Sequence, residues 1–548
     1  MASESDQYVY MTSVEPQDNV NLFEEKKYTY VTDSNSNGGV FTSQMQFDLQ
    51  NLSSNNWVDL KEAYIQFPVK LTIKNDSAFA PAQCTINSAT IKAGFHQFVD
   101  SVQIVLNGVT CNSSQIYQNI DTTYKILSEW SQSELERYGP TLGIALDNYL
   151  VERDTNPGIT SSLDNAALVD GIGGFDMTFS RNEGFKRRLE WFNNGVLPTN
   201  FGKSILGGNQ SLSGKGNVQV GTSAIANDNV FTAFLLGCVR LKDISSFVQH
   251  APLCKNVKGF VYVNFNASKH VLTANASGVI TSIVNSSIYG RSAPGMINTG
   301  IDGFKHNAAN ASSVTFTAEI SGDNTGMHSV LTNVSPIYKN ARLTVPYYTA
   351  SPSVDRSLTM VKTCRYNERY VTQFTMDSGG NFNGTLSPGV TNAKRLILFP
   401  ILTNAGSSGN SGFISNPILS ALDSCPSTTS PFALIKDLQI IHGNKSVFNQ
   451  PVTADSDLFL QEISKIGEDG GQNSLAGSGV LNQEMYDSLY RYATIDLGRR
   501  DNAGDGCSKA IQISCTNGTQ CPMTVICIIW YEKEIKIDTA SCRIEQTM

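Results

Sequence analysis

The sequence is poor in charged residues, which make up 16% of its 548 residues, against roughly 25% in an ordinary soluble domain. Serine, threonine, asparagine and glycine take their place, as expected for many short strands joined by polar loops. Low charge also suits a subunit whose faces contact copies of itself, because charged groups are depleted in interface cores. The length predicts two large domains or three smaller ones.

The sequence also contains no run of 18 apolar residues, so it predicts no transmembrane segment. Its best apolar stretch, VICIIWY at 525–531, has the length of a strand. The N-terminus lacks the basic and apolar regions of a secretory signal, and 11 cysteines without a pairing rhythm are typical of reduced thiols inside a cell. A net charge of −8 argues against a chain held on nucleic acid by phosphate contacts.

Catalytic motifs are missing as well. The six histidines lie far apart without HExxH spacing, and no GxSxG sequence is present. The glycine-rich stretches lack the Lys-Ser/Thr of a phosphate-binding loop. Pairs of acidic residues can always be found among 48 carboxylates, so their presence does not indicate a glycoside hydrolase. We therefore expect no enzyme: no catalytic residues, no metal site and no cofactor.

Four cysteines near the C-terminus come closest to a metal site. Cys507, Cys515, Cys521 and Cys527 are separated by seven, five and five residues, whereas zinc sites use closely paired ligands such as CxxC. If Asn517-Gly518 is a two-residue hairpin, Cys515 and Cys521 sit diagonally across it. Strand packing is the preferred interpretation, and a disulfide among the four stays open.

Two charged segments are candidate binding elements. Residues 1–35 show no sustained period and predict a flexible arm, which is acidic because it has seven carboxylates against Lys26 and Lys27. The only compact basic cluster is FKRRLEW at 185–191. A solvated turn beside a strand is a better interpretation of it than a nuclear signal or a DNA contact.

Alternating apolar and polar residues dominate the remainder and indicate an all-β protein. Strands are predicted in LKEAYIQFPVKLTI (60–73), with Pro68 at an edge or bulge, and in six or more later stretches such as 393–402 and 523–537. Helices are few and fall in inserted loops: 113–136, with Gly139-Pro140 as a stop signal shortly after it, 455–466 and 483–492.

The strands of the first half recur in the second. SVQIVLNG matches DLQIIHGN (Gln103 over Gln439), and YIQFPVKL matches LILFPILT (Phe67 over Phe399). Phe47-Asp48 matches Met376-Asp377, and Ile116-Tyr117 matches Val447-Phe448. The offsets are 336, 332, 329 and 331 residues in one colinear order. This predicts an internal duplication of a β-sandwich or jelly roll.

The sequence resembles the double-jelly-roll major capsid proteins of small eukaryotic double-stranded DNA viruses, of the polinton-like virus and virophage type. The resemblance rests on QMQFDLQNLSSNNWVDLKEAYIQFPV (44–69), RLKDISSFVQHAPLCKNVKGFVYVNFN (240–266), NARLTVPYYTASPSVDRSL (340–358), ATIDLGRRDNAGDGCSKAIQIS (493–514) and ICIIWYEKEIKID (526–538). Together these motifs extend from about residue 40 to the end of the chain.

The resemblance implies two tandem jelly rolls, at 36–350 and 351–541, after the arm at 1–35 and before a tail at 542–548. The first jelly roll would carry insertions near 140–230 and 275–335. It implies a homotrimer that forms a pseudo-hexagonal capsomer, contacts neighbouring capsomers, penton and minor or cement proteins, and tiles an icosahedral shell around double-stranded DNA. The location would be the virion, after assembly inside the host cell, without sequence-specific nucleic-acid binding.

Two other functions remain alternatives. A carbohydrate-binding or carbohydrate-active β-sandwich would also use loop aromatics and low charge, but the colinear duplication and the missing secretion signal count against it. A coat protein with one jelly roll and a projecting domain is opposed by the repeated strand-turn-helix block.

Overall fold

The structure is a computed structural model, and the fold is described from residues 23–36, 38–52, 56–75, 87–148, 182–191, 218–220, 229–274, 280–299, 312–323, 339–402, 416–423, 425–431, 433–463, 479–498 and 507–546. Strands dominate this part of the chain, as the alternating sequence predicts.

The strands are β1 (Phe23–Thr32), β2 (Gln44–Asp48), β3 (Trp57–Val58), β4 (Tyr64–Asn75), β5 (Asn87–Ile91), β6 (Val99–Leu106), β7 (Val109–Asn112), β8 (Val218–Val220), β9 (Asn229–Arg240), β10 (Gly259–Phe265), β11 (Ala267–Ala274), β12 (Ile280–Tyr289), β13 (Gly295–Thr299), β14 (Ser312–Ile320), β15 (Arg342–Ala350), β16 (Val361–Met376), β17 (Asn381–Thr391), β18 (Ala393–Leu402), β19 (Ile435–His442), β20 (Lys445–Ser446), β21 (Ala493–Asp496), β22 (Ser508–Asn517), β23 (Met523–Asp538) and β24 (Arg543–Gln546).

The α-helices are α1 (Gln118–Glu129), α2 (Gln132–Leu142), α3 (Glu183–Trp191), α4 (Leu241–Ile244), α5 (Ser246–His250), α6 (Pro352–Leu358), α7 (Ser456–Ile463) and α8 (Gln483–Ser488), and short 3₁₀ turns occur at Leu49–Leu52 and Phe95–Phe98.

The second half folds into two facing antiparallel sheets. One has the order β16-β23-β18-β21, with β24 added on β23, and the other has the order β17-β22-β19-β20. Numbered one to eight along the chain from β16 to β23, these strands are arranged 1-8-3-6 and 2-7-4-5. This alternation between two sheets is the strand order of a jelly roll.

The first half repeats this order. β1, β15, β4 and β9 are neighbours in one sheet, and β2-β10-β6-β7 form the other. With the inserted strands set aside, these eight strands are again arranged 1-8-3-6 and 2-7-4-5. The chain therefore contains two tandem jelly rolls, called barrel one and barrel two below, and the predicted fold class is confirmed.

Barrel one is enlarged between β10 and β15. Strands β11, β12 and β14 extend its first sheet, because β14 pairs with the far end of β4 from Val69 to Asn75, beyond the β15 pairing. β13 pairs with β5 in a separate small sheet. Most of the other predicted insertion, near 140–230, lies outside the described residues.

The repeated strand-turn unit that predicts the duplication has the same geometry in both barrels. Asn107 and Gly108 both have positive φ between β6 and β7, as Gly443 and Asn444 do between β19 and β20. This is the backbone that two-residue hairpins require, and it explains why the two residues can exchange order. Leu106 pairs with Val109, and His442 pairs with Lys445, at the same offset of 336 residues.

The structure confirms only part of the other three sequence matches between the two halves. Ile116 and Val447 both follow the short hairpin strand of their barrel and precede a helix. Phe67 and Phe399 each lie in the third strand of their barrel, but Phe67 faces the barrel core whereas Phe399 faces outward. The sequence match is therefore shifted by one residue, an error that alternation alone cannot detect. The match of Phe47 with Met376 is wrong, because β2 and β16 occupy different positions in different sheets.

Pro68 lies neither at an edge nor at a bulge, contrary to the sequence expectation, because β4 and β9 pair through it without a shift of register. It lies inside β4, which pairs along its whole length with β9. On its other side, the pairing of β4 with β15 ends at Gln66, and the pairing of β4 with β14 begins at Val69. Pro68 is tolerated because it faces this gap, where no ladder bond needs its missing N–H, and its carbonyl accepts a bond from the Ser321 amide at 3.1 Å.

The predicted flexible arm at 1–35 is wrong for its last third. Phe23–Thr32 form β1, which pairs with β15, and Lys26 bridges to Glu62 at 2.6 Å. Alternation of aromatic and charged residues permits this edge strand, with Tyr28 and Tyr30 outward. At the other end, β24 pairs with β23, so the predicted tail at 542–548 contributes to a sheet. The boundary between 350 and 351 remains a prediction.

The predicted helices exist with other bounds. The segment 113–136 contains α1 and the start of α2, and α2 continues through Pro140 to Leu142, where Gly143 ends it with φ of 70°. The segments 455–466 and 483–492 contain α7 and α8. Ser131 and Glu134 form a capping box at the start of α2, and this Ser-x-x-Glu pattern is the sequence signal that separates α1 from α2.

We predict that Gly259→Ala destabilises barrel one. Gly259 opposes Leu106 in the β10–β6 ladder, has φ of 149°, and carries no side chain where a Cβ would collide with the Val105 carbonyl. Overpacking combined with a disfavoured backbone should cost about 3 kcal/mol of unfolding free energy, measured by chemical denaturation. Gly379→Ala is the matched control, because Gly379 has φ of 63° but open space around it; equal losses in both variants would refute the close approach.

Candidate functional site: the seam between the two barrels

The contact between the barrels is built around helix α1. Its apolar residues Ile120, Tyr124 and Leu127 recur at helical spacing and are almost completely buried. They pack against the outward-facing side chains of β18 and β23 in barrel two. We call this contact, of α1 with the outer faces of β18 and β23, the seam.

Barrel two provides the seam because its first sheet is apolar on both faces. Along β18, Leu396 and Leu398 face the barrel interior, whereas Ile397 and Phe399 face α1. Along β23, Cys527 and Ile529 face inward while Ile528 and Trp530 face outward. A sheet covered on both faces reads as a continuous apolar run, which explains LILFPIL and VICIIW in the sequence.

Aromatic rings occupy the centre of the seam. The Tyr124 ring lies edge-on to Tyr492 at 5.3 Å and to Phe399 at 6.3 Å between centroids, and perpendicular to Trp530 at 6.4 Å. Edge-to-face contacts of this kind add about 0.5–1.5 kcal/mol each beyond area burial. The Tyr124 hydroxyl also lies 3.0 Å from Thr494 Oγ1, so its buried polar atom is paired.

A buried charge network surrounds these rings. Trp530 Nε1 donates to Asp121 Oδ1 at 2.8 Å, and Arg369 Nε lies 3.7 Å from Asp121 Oδ2. Arg369 Nη2 donates to Gln118 Oε1 at 2.5 Å. Burial lowers the pKa of Arg369 from its ordinary value while Asp121 opposes that shift. Each barrel therefore supplies polar groups that the other one needs.

Glu368, beside this network, adds a second polar link. Its Oε1 accepts the backbone amide of Ser113 at 2.8 Å, and its Oε2 accepts the Tyr531 hydroxyl at 3.0 Å. Lys533 Nζ lies 3.2 Å from the same oxygen. A small polar cleft adjoins these residues. Glu368 and Trp530 of barrel two both form hydrogen bonds with barrel one, to Ser113 and Asp121. These polar contacts are therefore suited to holding the two barrels in one orientation.

The strands β16 and β23 extend the contact beyond the seam. Both are 16 residues long and pair over their whole length, about 53 Å at 3.3 Å per residue. Phe374 and Val525 lie in the core of barrel two, whereas Tyr366 and Ile535 lie in the core cluster of barrel one. One ribbon therefore contributes to both cores.

The histidines do not converge. His96, His250, His270 and His442 lie in different elements, and His306 and His328 lie outside the described residues. Burial, helped by the Arg188 charge, lowers the pKa of His96 to about 3, and burial lowers the pKa of His270 to about 4. Within the described part of the chain, no three His, Cys, Asp or Glu side chains are grouped to hold a metal ion.

The four C-terminal cysteines are placed by packing. Cys515 and Cys527 are buried in the core of barrel two, Cys521 is half-buried, Cys507 is exposed, and none of these four described cysteines is in a disulfide. The conditional hairpin at Asn517-Gly518 is wrong, because β22 and β23 belong to different sheets. The connection therefore crosses between sheets, as the last link of a jelly roll must.

The basic cluster at 185–191 is part of a helix and not a solvated turn. In α3, Phe185 and Leu189 are buried, and Arg188 is fully buried. Arg188 Nη2 donates to Asp147 Oδ1 at 2.7 Å, and Nη1 donates to the Ala145 carbonyl at 2.9 Å. The spacing of Phe185, Arg188 and Leu189 fits one face of a helix. The sequence interpretation missed the helix because it was based on the charges of the cluster and not on this spacing.

Sequence reasoning predicted the helical segment that contains α1 but assigned no contact to it, and it missed Asp121, Arg369 and Trp530. A signal existed for Trp530, because it ends an apolar run with no polar alternation. No comparable signal existed for Asp121 or Arg369, since each pairs with a residue from the other half of the chain.

None of the described helices has the length and apolar character needed to cross a bilayer.

Three solved structures align over nearly the whole chain. A chain of the Sputnik virophage, solved by cryo-EM, aligns over 97% of this chain and 90% of its own length at 13% identity, with a TM-score of 0.53. The mavirus major capsid protein aligns over 100% and 95% at 10% identity (TM-score 0.40), and the Faustovirus major capsid protein over 97% and 94% at 9% identity (TM-score 0.42). No protein-family model and no curated protein matches the sequence. The Sputnik likeness supports the double jelly roll.

We predict that Asp121→Ala strongly destabilises the chain. The variant leaves the Arg369 charge buried without its nearest carboxylate and the Trp530 N–H without an acceptor, which should cost about 3–5 kcal/mol of unfolding free energy. Chemical denaturation followed by tryptophan fluorescence measures it. Glu534→Ala is the matched control, because it breaks a contact of Arg365, an exposed arginine on the same strand β16, and should leave the midpoint nearly unchanged. Equal effects would contradict a structural role for the buried pair.

We also predict that the chain loses stability in mild acid through its buried histidines. The pKa values of His96 and His270 lie near 3 and 4 when folded, against about 6.5 when unfolded. Below pH 6.5 the unfolded state alone takes up these protons, so the unfolding free energy falls by about 1.4 kcal/mol per pH unit for each histidine.

Denaturation curves between pH 6.5 and pH 5 measure this slope. In His96→Gln the slope should be smaller by about 1.4 kcal/mol per pH unit, and His270→Gln should reduce it by a similar amount. A slope that is unchanged in both variants would contradict the assignment.

Proposed function

We propose that the chain is a major capsid protein that assembles as a homotrimer, and that each trimer forms a pseudo-hexagonal capsomer of an icosahedral shell. The observation that carries this proposal is the eight-strand order that occurs twice in one chain, with the fold of a chain from a virophage particle. Such a role needs no catalytic residues, and we propose a structural function in place of an enzymatic one.

The duplication has a physical reason in a tiled shell. Capsomers with six similar edges pack into flat facets, and three copies of a two-barrel chain present six similar barrels with threefold symmetry. This works only if the two barrels of one chain keep a fixed orientation. The seam supports the proposal because aromatic packing, the Asp121–Arg369 pair and the shared β16–β23 ribbon all oppose rotation of one barrel against the other.

Fusion of two copies also lets each one specialise. Barrel one carries the additional strands β11–β14, while barrel two has none between β22 and β23. We propose that the insertions of barrel one contact neighbouring capsomers, penton proteins and minor or cement proteins. We place the boundary between the barrels at 350/351.

Charge supports a double-stranded DNA genome that is packed by other components. Residues 1–22 contain four carboxylates and no basic residue, and the whole chain has a net charge of −8. A shell that condensed its genome electrostatically would present lysine and arginine to the phosphates. We propose a virion location after assembly inside the host cell, without sequence-specific DNA binding by this chain.

The mass of the purified full-length chain tests the proposal. We expect light scattering to give a stable species near three times 59.5 kDa, and electron microscopy class averages to show a hexagonal outline with six lobes. A species of 59.5 kDa at all concentrations, with or without a bound sugar, would contradict it. A trimer with three lobes would contradict the equivalence of the two barrels.

A further inference from the structure

Four buried cysteines belong to the core cluster where the end of barrel two meets barrel one. Cys111 and Cys254 belong to barrel one, Cys364 lies on β16, and Cys542 lies in the turn between β23 and β24. All four are almost completely buried in one core cluster. They are distinct from the four cysteines between 507 and 527 that the sequence singles out.

Cys254 and Cys542 are held against each other by the backbone around them. Lys255 N donates to the Thr539 carbonyl at 2.8 Å, and Asn256 Nδ2 donates to the Ala540 carbonyl at 3.1 Å. Asn107 Nδ2 donates to the Cys542 carbonyl at 2.6 Å. The turn at 539–542 is therefore bonded to barrel one at the residues directly after Cys254 and at Asn107.

The backbones of the two cysteines are also fixed individually. Cys254 exchanges two backbone hydrogen bonds with Val58, at 2.8 and 3.2 Å. Cys542 has a left-handed backbone with φ of 52°, which is uncommon for a residue with a side chain. Within this frame, the Cys254 and Cys542 thiols interact with each other, and Cys254 Sγ also donates to the Pro252 carbonyl at 3.4 Å.

We propose that Cys254 and Cys542 form a disulfide when the folded chain meets an oxidising small-molecule disulfide, and that this bond locks barrel one to the end of barrel two. The proposal concerns the folded chain and does not depend on the capsid function. A bond between these positions closes a loop of 288 residues (542 minus 254), and disulfides that close long loops restrict the unfolded chain most.

The chemistry balances as two thiol–disulfide exchanges with oxidised glutathione. The Cys542 thiolate attacks one sulfur of glutathione disulfide, forms a mixed disulfide and releases one glutathione thiolate. Cys254 then loses its proton and attacks Cys542 Sγ, which forms the protein disulfide and releases the second glutathione. Two protein thiols are oxidised, and one glutathione disulfide is reduced to two thiols.

The local environment favours Cys542 as the first nucleophile. The neighbouring Cys254 thiol lowers the pKa of Cys542, and the thiolate is the form that attacks a disulfide. Access requires only a local opening, because Cys542 is followed by β24, a strand of four residues that pairs on one side with β23. A short strand that is paired on one side opens at low cost.

Peptide mapping of the oxidised full-length chain tests the proposal. The folded protein is incubated with reduced or oxidised glutathione, free thiols are alkylated after denaturation, and peptides are analysed by mass spectrometry. We expect a cross-linked pair of peptides containing Cys254 and Cys542 after oxidation, and alkylation of both after reduction. Mapping also separates this pair from Cys507, whose exposed thiol will form a mixed disulfide with glutathione.

Thermal unfolding supplies the second readout. Oxidation should raise the midpoint of the wild-type chain by about 5 °C or more and leave Cys254→Ala and Cys542→Ala unshifted. Cys515→Ala is the matched control, because Cys515 is a buried thiol elsewhere in the chain, and should keep both the cross-link and the shift. Two free thiols after oxidation, or a cross-link to Cys111 or Cys364 instead, would overturn the proposal.

Discussion

Burial of one sheet on both of its faces is the constraint on which the rest of the structure depends. The sheet of β16, β23, β18 and β21 covers the core of barrel two with one face and α1 of barrel one with the other. Neither face can be exposed without uncovering aromatic and branched side chains, at roughly 25 cal/mol per Å² of apolar surface. The two barrels therefore behave as one folding unit.

This constraint links the fold to the proposed function. A capsomer made from three chains presents six barrels at fixed angles only if each pair is rigid, and packed cores resist continuous deformation. The polar part of the seam adds direction to the contact, because Trp530 and Arg369 must each meet the carboxylate of Asp121. Apolar packing supplies most of the stability, and the buried polar pairs fix the orientation.

The sequence predicted the architecture well and the junction poorly. The repeated strand-turn unit around Gln103 and Gln439 predicted two equivalent domains, because a hairpin with two positive-φ residues leaves a strong local signal. Alternation could not fix the register of Phe67 against Phe399, nor distinguish β1 from a flexible arm, because both depend on distant partners. Asp121 and Arg369 lie 248 positions apart (369 minus 121), and their pairing exists only after both barrels fold.

Hydrogen exchange on the purified protein tests the central claim that the barrels share one stable ribbon. The amides of Tyr366 and Ile535, at the barrel-one end of β16 and β23, should exchange as slowly as those of Phe374 and Val525 inside barrel two. Equal protection means that one cooperative unit opens as a whole. Exchange more than about tenfold faster at the barrel-one end, a difference of about 1.4 kcal/mol, would show that the barrels open independently and would contradict the account.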